Sequence, residues 1–131
     1  IRMLILHDLV EIDVGDVPIH SAGGAAHGSA EVARAEARAA DRIFGLLPAD
    51  IGPPLRALWE EFEAAETPDA IFAKSLDRVQ PLLHNIASGG GSWIDYDVTF
   101  EQLEARVGLK VARGAPQLWP YVREKARVFF S

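Results

Sequence analysis

The chain has 131 residues, of which 49% are hydrophobic, and a formal net charge of −6 at pH 7. That length and apolar content suit one domain with a buried core, and no apolar run approaches the roughly 20 residues that cross a bilayer. The acidic balance argues against a nucleic-acid polymer as partner, since that binding rests on Lys and Arg set against phosphates, and the lack of cysteine excludes disulfides, thiolate metal sites and a cysteine nucleophile.

Any metal would therefore have to be held by His, Asp and Glu. Imidazole with carboxylate suits Zn, Mn, Fe, Co or Ni, and carboxylate with water suits Mg. The chain reads as soluble, and a cytoplasmic location is expected.

Residues 1–12 read as the end of a buried helix, with Met3, Leu4, Leu6, Val10 and Ile12 apolar. The pattern is already helical at Ile1, without a capping residue or first turn, so sequence upstream is expected to be missing. Asp13-Val14-Gly15-Asp16 reads as a turn, and 17–28 as a loop of small residues carrying His20 and His27, both expected to face solvent. Ser29 is a good N-cap for an Ala-rich helix running to about Leu47.

Pro48 closes that helix, and Gly52-Pro53-Pro54 opens a shorter one through Leu55, Leu58, Trp59 and Phe62. Its Glu60, Glu61, Glu63 and Glu66 suit a solvated face. Thr67-Pro68 is a start signal, an N-cap before a proline at the first helical position. The following helix should bury Phe72, Leu76, Val79, Leu83 and Ile86, whose spacing is helical. Pro81 should kink it, and Gly89-Gly90-Gly91 should stop it. Thr99 then caps a helix to about Val107, and Pro116 starts a last one through Leu118, Trp119, Tyr121, Val122, Val128 and Phe129. No alternating strand pattern and no internal repeat appear, so the expected fold is all-α.

Chemistry concentrates at His7, Asp8 and Glu11. On an α-helix, residues three and four apart share a face, so all three would project from one side of an otherwise apolar segment. Ionisable groups there are costly unless paired or bound to a cation. The dipeptide alone says little: four His and nine Asp in this chain give about 0.3 His-Asp pairs by chance, and a buried His bonded to a carboxylate would look the same. The third acid on the same face, and Asp13 and Asp16 just beyond, shift the reading towards a metal site.

Asp77 lies in the later helix between Leu76 and Val79. It reads either as a ligand from a second helix or as a partner for Lys74 three residues before. His84 reads as a capping or packing residue, with a ligand role as the alternative. Ser92 lacks the strand-turn-helix setting of a nucleophile elbow, and Gly89-Gly90-Gly91 lacks the Lys-Ser or Lys-Thr of a phosphate loop.

The string His7-Asp8-Leu9-Val10-Glu11-Ile12-Asp13-Val14-Gly15-Asp16 resembles the signature of the HD-domain metal-dependent phosphohydrolases, in the branch holding the bacterial 5'-deoxynucleotidases. Arg42-Ile43-Phe44-Gly45-Leu46-Leu47-Pro48, Leu58-Trp59-Glu60-Glu61-Phe62-Glu63 and Phe72-Ala73-Lys74-Ser75-Leu76-Asp77-Arg78 resemble the same branch, so the likeness runs from about residue 1 to 95.

The resemblance implies a single all-α HD-domain bundle, without its N-terminal helices, and a divalent metal ion held by His7, Asp8 and Asp77. A further His would come from upstream, as would the basic residue for the phosphate. Glu11 and Asp16 match acids near the reacting phosphate or the nucleoside. The implied activity is hydrolysis of a nucleoside monophosphate to nucleoside and phosphate, in a protein that is a homodimer. A non-catalytic helical binding module, and a phosphodiesterase or nucleoside-polyphosphate hydrolase, are the alternatives. Trp93, Trp119, Phe129 and Phe130 are expected to supply apolar surface for the dimer.

Overall fold

The computed structural model describes residues 1–24 and 29–131. His27 lies outside them. Among the described residues every regular element is helical: α1 (Arg2–Leu6), a 3-10 turn (His7–Val10), α2 (Glu11–Val14), a second 3-10 turn (Ser21–Gly24), α3 (Ala30–Gly45), α4 (Gly52–Ala64), α5 (Pro68–Ala87), α6 (Ser92–Asp95), α7 (Phe100–Leu103), a π turn (Glu104–Gly108), α8 (Leu109–Gly114) and α9 (Leu118–Phe130). The fold is all-α, as the patterning requires. No described helix is long and apolar enough to cross a membrane.

The chain divides into two compact units, Ile1–Ala70 and Ile71–Ser131, with the division inside α5. In the first unit, Leu6, Val10, Ala39, Ala40, Phe44 and Trp59 form one buried cluster, and Leu9, Val14, Ile43, Leu55 and Leu58 pack against it. The small Ala39 and Ala40 face inward on α3, which leaves room for the short α1–α2 stretch. Ser29 caps α3 by accepting a hydrogen bond from the Val32 amide at 3.2 Å. Thr67 caps α5 in the same way, accepting from the Ala70 amide at 3.2 Å.

In the second unit Trp93, Val98, Leu103, Val107, Val111, Val122 and Ala126 are buried. The Trp93 ring meets Phe129 and Phe130 at centroid distances of 5.4 and 5.1 Å. Trp93 is thus interior, Trp119 and Phe130 are half-buried, and of the four aromatics expected at the surface Phe129 alone is exposed. Thr99 and Gln102 form a reciprocal capping box at the start of α7. The helix after it does not end near Val107: it passes through the π turn into α8.

The α5 stripe differs from the apolar pattern. Ser75, Arg78, Val79, Leu82 and Asn85 are buried, whereas Phe72 and Leu83 are exposed. The inward face is rotated by about one residue and carries three polar side chains, and internal hydrogen bonds make the burial of Ser75 and Asn85 tolerable. Ser75 donates to the Ile71 carbonyl at 2.8 Å and to the Lys110 carbonyl at 3.2 Å. Asn85 donates to Ser92 Oγ at 2.9 Å. α5 continues through Pro81 and stops before three glycines with positive φ.

Candidate metal centre

The helix that was expected to run unbroken through residue 12 tightens at His7. A 3-10 turn carries His7 to Val10 between α1 and α2. The tightening changes the spacing argument. On a continuous α-helix His7 and Glu11 would lie about 40° apart around the axis, whereas a 3-10 turn between them opens this to about 100°. The turn is held at both ends by the buried Leu6 and Val10.

His7 is fixed at three points. Its Nδ1 lies 2.7 Å from the Leu4 carbonyl oxygen, so Nδ1 carries the proton and donates. Its ring meets the Phe62 ring of α4 at 4.9 Å with a tilt of 51°. Its Nε2 lies 2.8 Å from Asp8 Oδ1. The imidazole side chain is 17% exposed and the carboxylate 64%.

With Nδ1 as donor, Nε2 of the neutral ring offers a lone pair, and it faces a carboxylate lone pair. Two acceptors at that distance repel unless a proton or cation joins them. Two ligands bound at right angles, each about 2.1 Å from one cation, are roughly 3 Å apart. The pair therefore fits as two adjacent donors of a divalent cation. The bond from Nδ1 to a backbone carbonyl fixes the tautomer, as such bonds do where a histidine ligates a metal.

Glu11 follows the 3-10 turn and is half-buried. Its amide points back to the Asp8 and Leu9 carbonyls. Its own carbonyl accepts from the Gly15 amide at 2.8 Å. Gly15 then leaves the helix at φ 81°, a backbone conformation that favours glycine. This turn delivers the exposed Asp16.

Between them, Asp13 takes both free donors of one face of Arg42: Nε to Oδ2 and Nη2 to Oδ1, each at 2.6 Å. This hydrogen bonding holds the Asp13 carboxyl below its ordinary 3.8, against a smaller opposing effect of burial and with further help from the Arg42 charge. Asp77 lies on α5 in the second unit and is half-buried. No group of three or more His, Asp or Glu side chains that could hold a metal ion occurs among the described residues.

His20 is buried rather than solvent-facing. His84 is exposed and lines an open groove with Gln80, Pro81, Asn85, Ser92 and Asp95. Residue patterning also missed Phe62 and Arg42 as parts of the site. Phe62 reads as ordinary core on α4, and Arg42 lies 29 positions from Asp13, beyond any local spacing rule.

The chain belongs to the HD domain family, whose pattern matches residues 1–119. Within it, the chain is similar to the 5'-deoxynucleotidase HDDC2 of Mus musculus, with 36% identity over 84 residues, and to that of Xenopus laevis, with 31% over 109 residues. These alignments cover 63% and 82% of this chain and 40% and 46% of those proteins, so the chain spans less than half the length of either relative. A solved structure described as a predicted metal-dependent phosphohydrolase, from Magnetospirillum magnetotacticum, superposes with a TM-score of 0.85 at 41% identity. That match covers 98% of this chain and 62% of the other.

Proposed function

We infer that this chain is part of a divalent-metal-dependent phosphohydrolase whose substrate is a nucleoside monophosphate. The observation that carries the reading is the His7–Asp8 pair, with Nδ1 tied to the Leu4 carbonyl and Nε2 turned to Asp8 Oδ1. Membership of the HD domain family, the deoxynucleotidase names of the relatives and the phosphohydrolase description of the structural neighbour support it.

In this reading His7 and Asp8 hold the cation, and Asp77 supplies a further carboxylate, as the sequence resemblance implies. When bound, a divalent ion supplies Lewis acidity at a phosphoryl oxygen and acidifies water for attack. Glu11 orients the attacking water or protonates the leaving 5'-oxygen. Its half-buried setting suits proton transfer better than that of the exposed Asp16, which we assign to contact with the nucleoside or its phosphate.

The test is phosphate release from nucleoside monophosphates by the full-length protein with added Co, Mn or Mg, alongside metal titration. Asp8→Ala should lose metal binding and lower turnover by about 100-fold or more. Turnover and metal affinity that survive in this variant, or a wild-type protein inactive with every metal, would overturn the reading.

A further inference from the structure

α2 is a single turn of four residues, too short to be stable on its own. Yet it carries Glu11 and leads through Gly15 to Asp16. Val10 and Val14 attach it to the core on one side. On the other side the attachment is polar: the two-point bond from Arg42 of α3 to both carboxylate oxygens of Asp13. A side-on guanidinium–carboxylate pair fixes direction as well as distance, because both groups are planar and the two bonds are parallel.

The arrangement continues past Arg42. Its neighbour Asp41 pairs with Arg56 of α4, and Arg56 also donates to Glu60 at 2.8 Å. α4 is the helix whose Phe62 ring packs on His7. Adjacent residues of α3 thus reach two different elements. Arg42 holds the turn bearing the acids, and Asp41 holds the helix that supports the imidazole. The positions of Glu11 and of His7 are referred to one helix.

We propose that Arg42 is a positioning residue: by its two-point hold on Asp13 it sets the Glu11–Asp16 segment against the His7–Asp8 pair. The proposal rests on the proposed function only for its catalytic consequence. In this proposal Arg42 acts through Asp13 and not on metal or substrate directly. Its loss should lower kcat while leaving the affinity for the cation alone, because His7 is fixed by Leu4 and Phe62 and Asp8 pairs with His7.

The experiment compares wild type, Arg42→Ala, Arg42→Lys and the charge exchange Asp13→Arg/Arg42→Asp in the full-length protein. It reads kcat and KM for a nucleoside monophosphate, the Mn affinity by calorimetry, and amide hydrogen exchange at Gly15. Arg42→Ala should lower kcat on the order of tenfold, since small misplacements of catalytic groups are costly, with Mn affinity within about twofold of wild type. Its Gly15 amide, bonded to the Glu11 carbonyl, should exchange about tenfold faster. Arg42→Lys should resemble Arg42→Ala, because charge without the fork does not fix the turn. The exchanged pair should recover most of the protection at Gly15.

An unchanged kcat with unchanged Gly15 exchange in Arg42→Ala overturns the proposal. So does full retention of kcat by Arg42→Lys, which would make the effect one of charge alone. A wild-type protein that releases no phosphate refutes the proposed function instead, and Gly15 exchange then decides the hold by itself.

Discussion

The Phe62 ring lies against the His7 ring at 4.9 Å, tilted by 51°, and is 2% exposed. One deeply buried side chain of α4 thus forms a wall of the imidazole. Phe62→Leu should keep the fold at a cost of roughly 1 kcal/mol. It should weaken metal binding by about tenfold, the lower range for loss of an outer-shell support. Calorimetric titration with Mn, compared with urea unfolding, separates the two effects. Equal metal affinity in the variant would show that the aromatic wall is packing alone.

Lys110 provides a pH-dependent prediction. Its backbone carbonyl accepts from Ser75 on α5, and its ammonium is held below the ordinary 10.5 by burial first, and then by the charges of Arg78 and Lys74. A base whose folded value is depressed destabilises the fold wherever it is charged in both states. The penalty is complete below the folded value and disappears as pH rises through it towards 10.5. Lys110→Gln should therefore raise Tm at pH 7, and the gain should shrink towards zero as pH approaches 10.5. Thermal unfolding at pH 7, 9 and 10.5 checks this, and a gain independent of pH would contradict it.

Asn85 should matter to stability more than its polarity suggests. It is 5% exposed, donates to Ser92 Oγ at 2.9 Å and accepts from the Ser92 amide at 3.3 Å. It thereby joins the end of α5 to the start of α6 across three glycines. Asn85→Leu keeps the bulk but orphans the Ser92 groups, and should cost about 1–3 kcal/mol. Urea denaturation reads this directly. A neutral result would mean that solvent replaces the amide.

The helix starts were legible because capping is local. Ser29, Thr67 and Thr99 each sit where hydroxyl, amide and helix period agree, and each makes the expected bond. The inward face of α5 was not legible. Hydrophobicity assigns Phe72 and Leu83 to the core, but Ser75, Arg78 and Asn85 take buried positions, two of them through partners 35 and 7 residues away. The His7–Asp8 pair was legible as a dipeptide, but its surroundings were not. The 3-10 turn at His7 carries no breaker residue, the support from Phe62 crosses from another helix, and Asp13 sits in a turn-like sequence while its partner Arg42 lies 29 positions away.

The partner of His7 Nδ1 is a peptide oxygen, that of Leu4. Every amino acid brings the same oxygen to position 4, so the tautomer of the imidazole does not depend on which side chain stands there. That position is free to drift among apolar residues in related chains while the tautomer of the imidazole stays constant. Substitution at position 4 will not disturb it unless the path of the backbone itself changes. A proline at position 7 or 8 would do that, but it would remove His7 or Asp8 as well. The contact is inherited through the course of the chain rather than through a residue, and it would pass unmarked in any comparison of sequences.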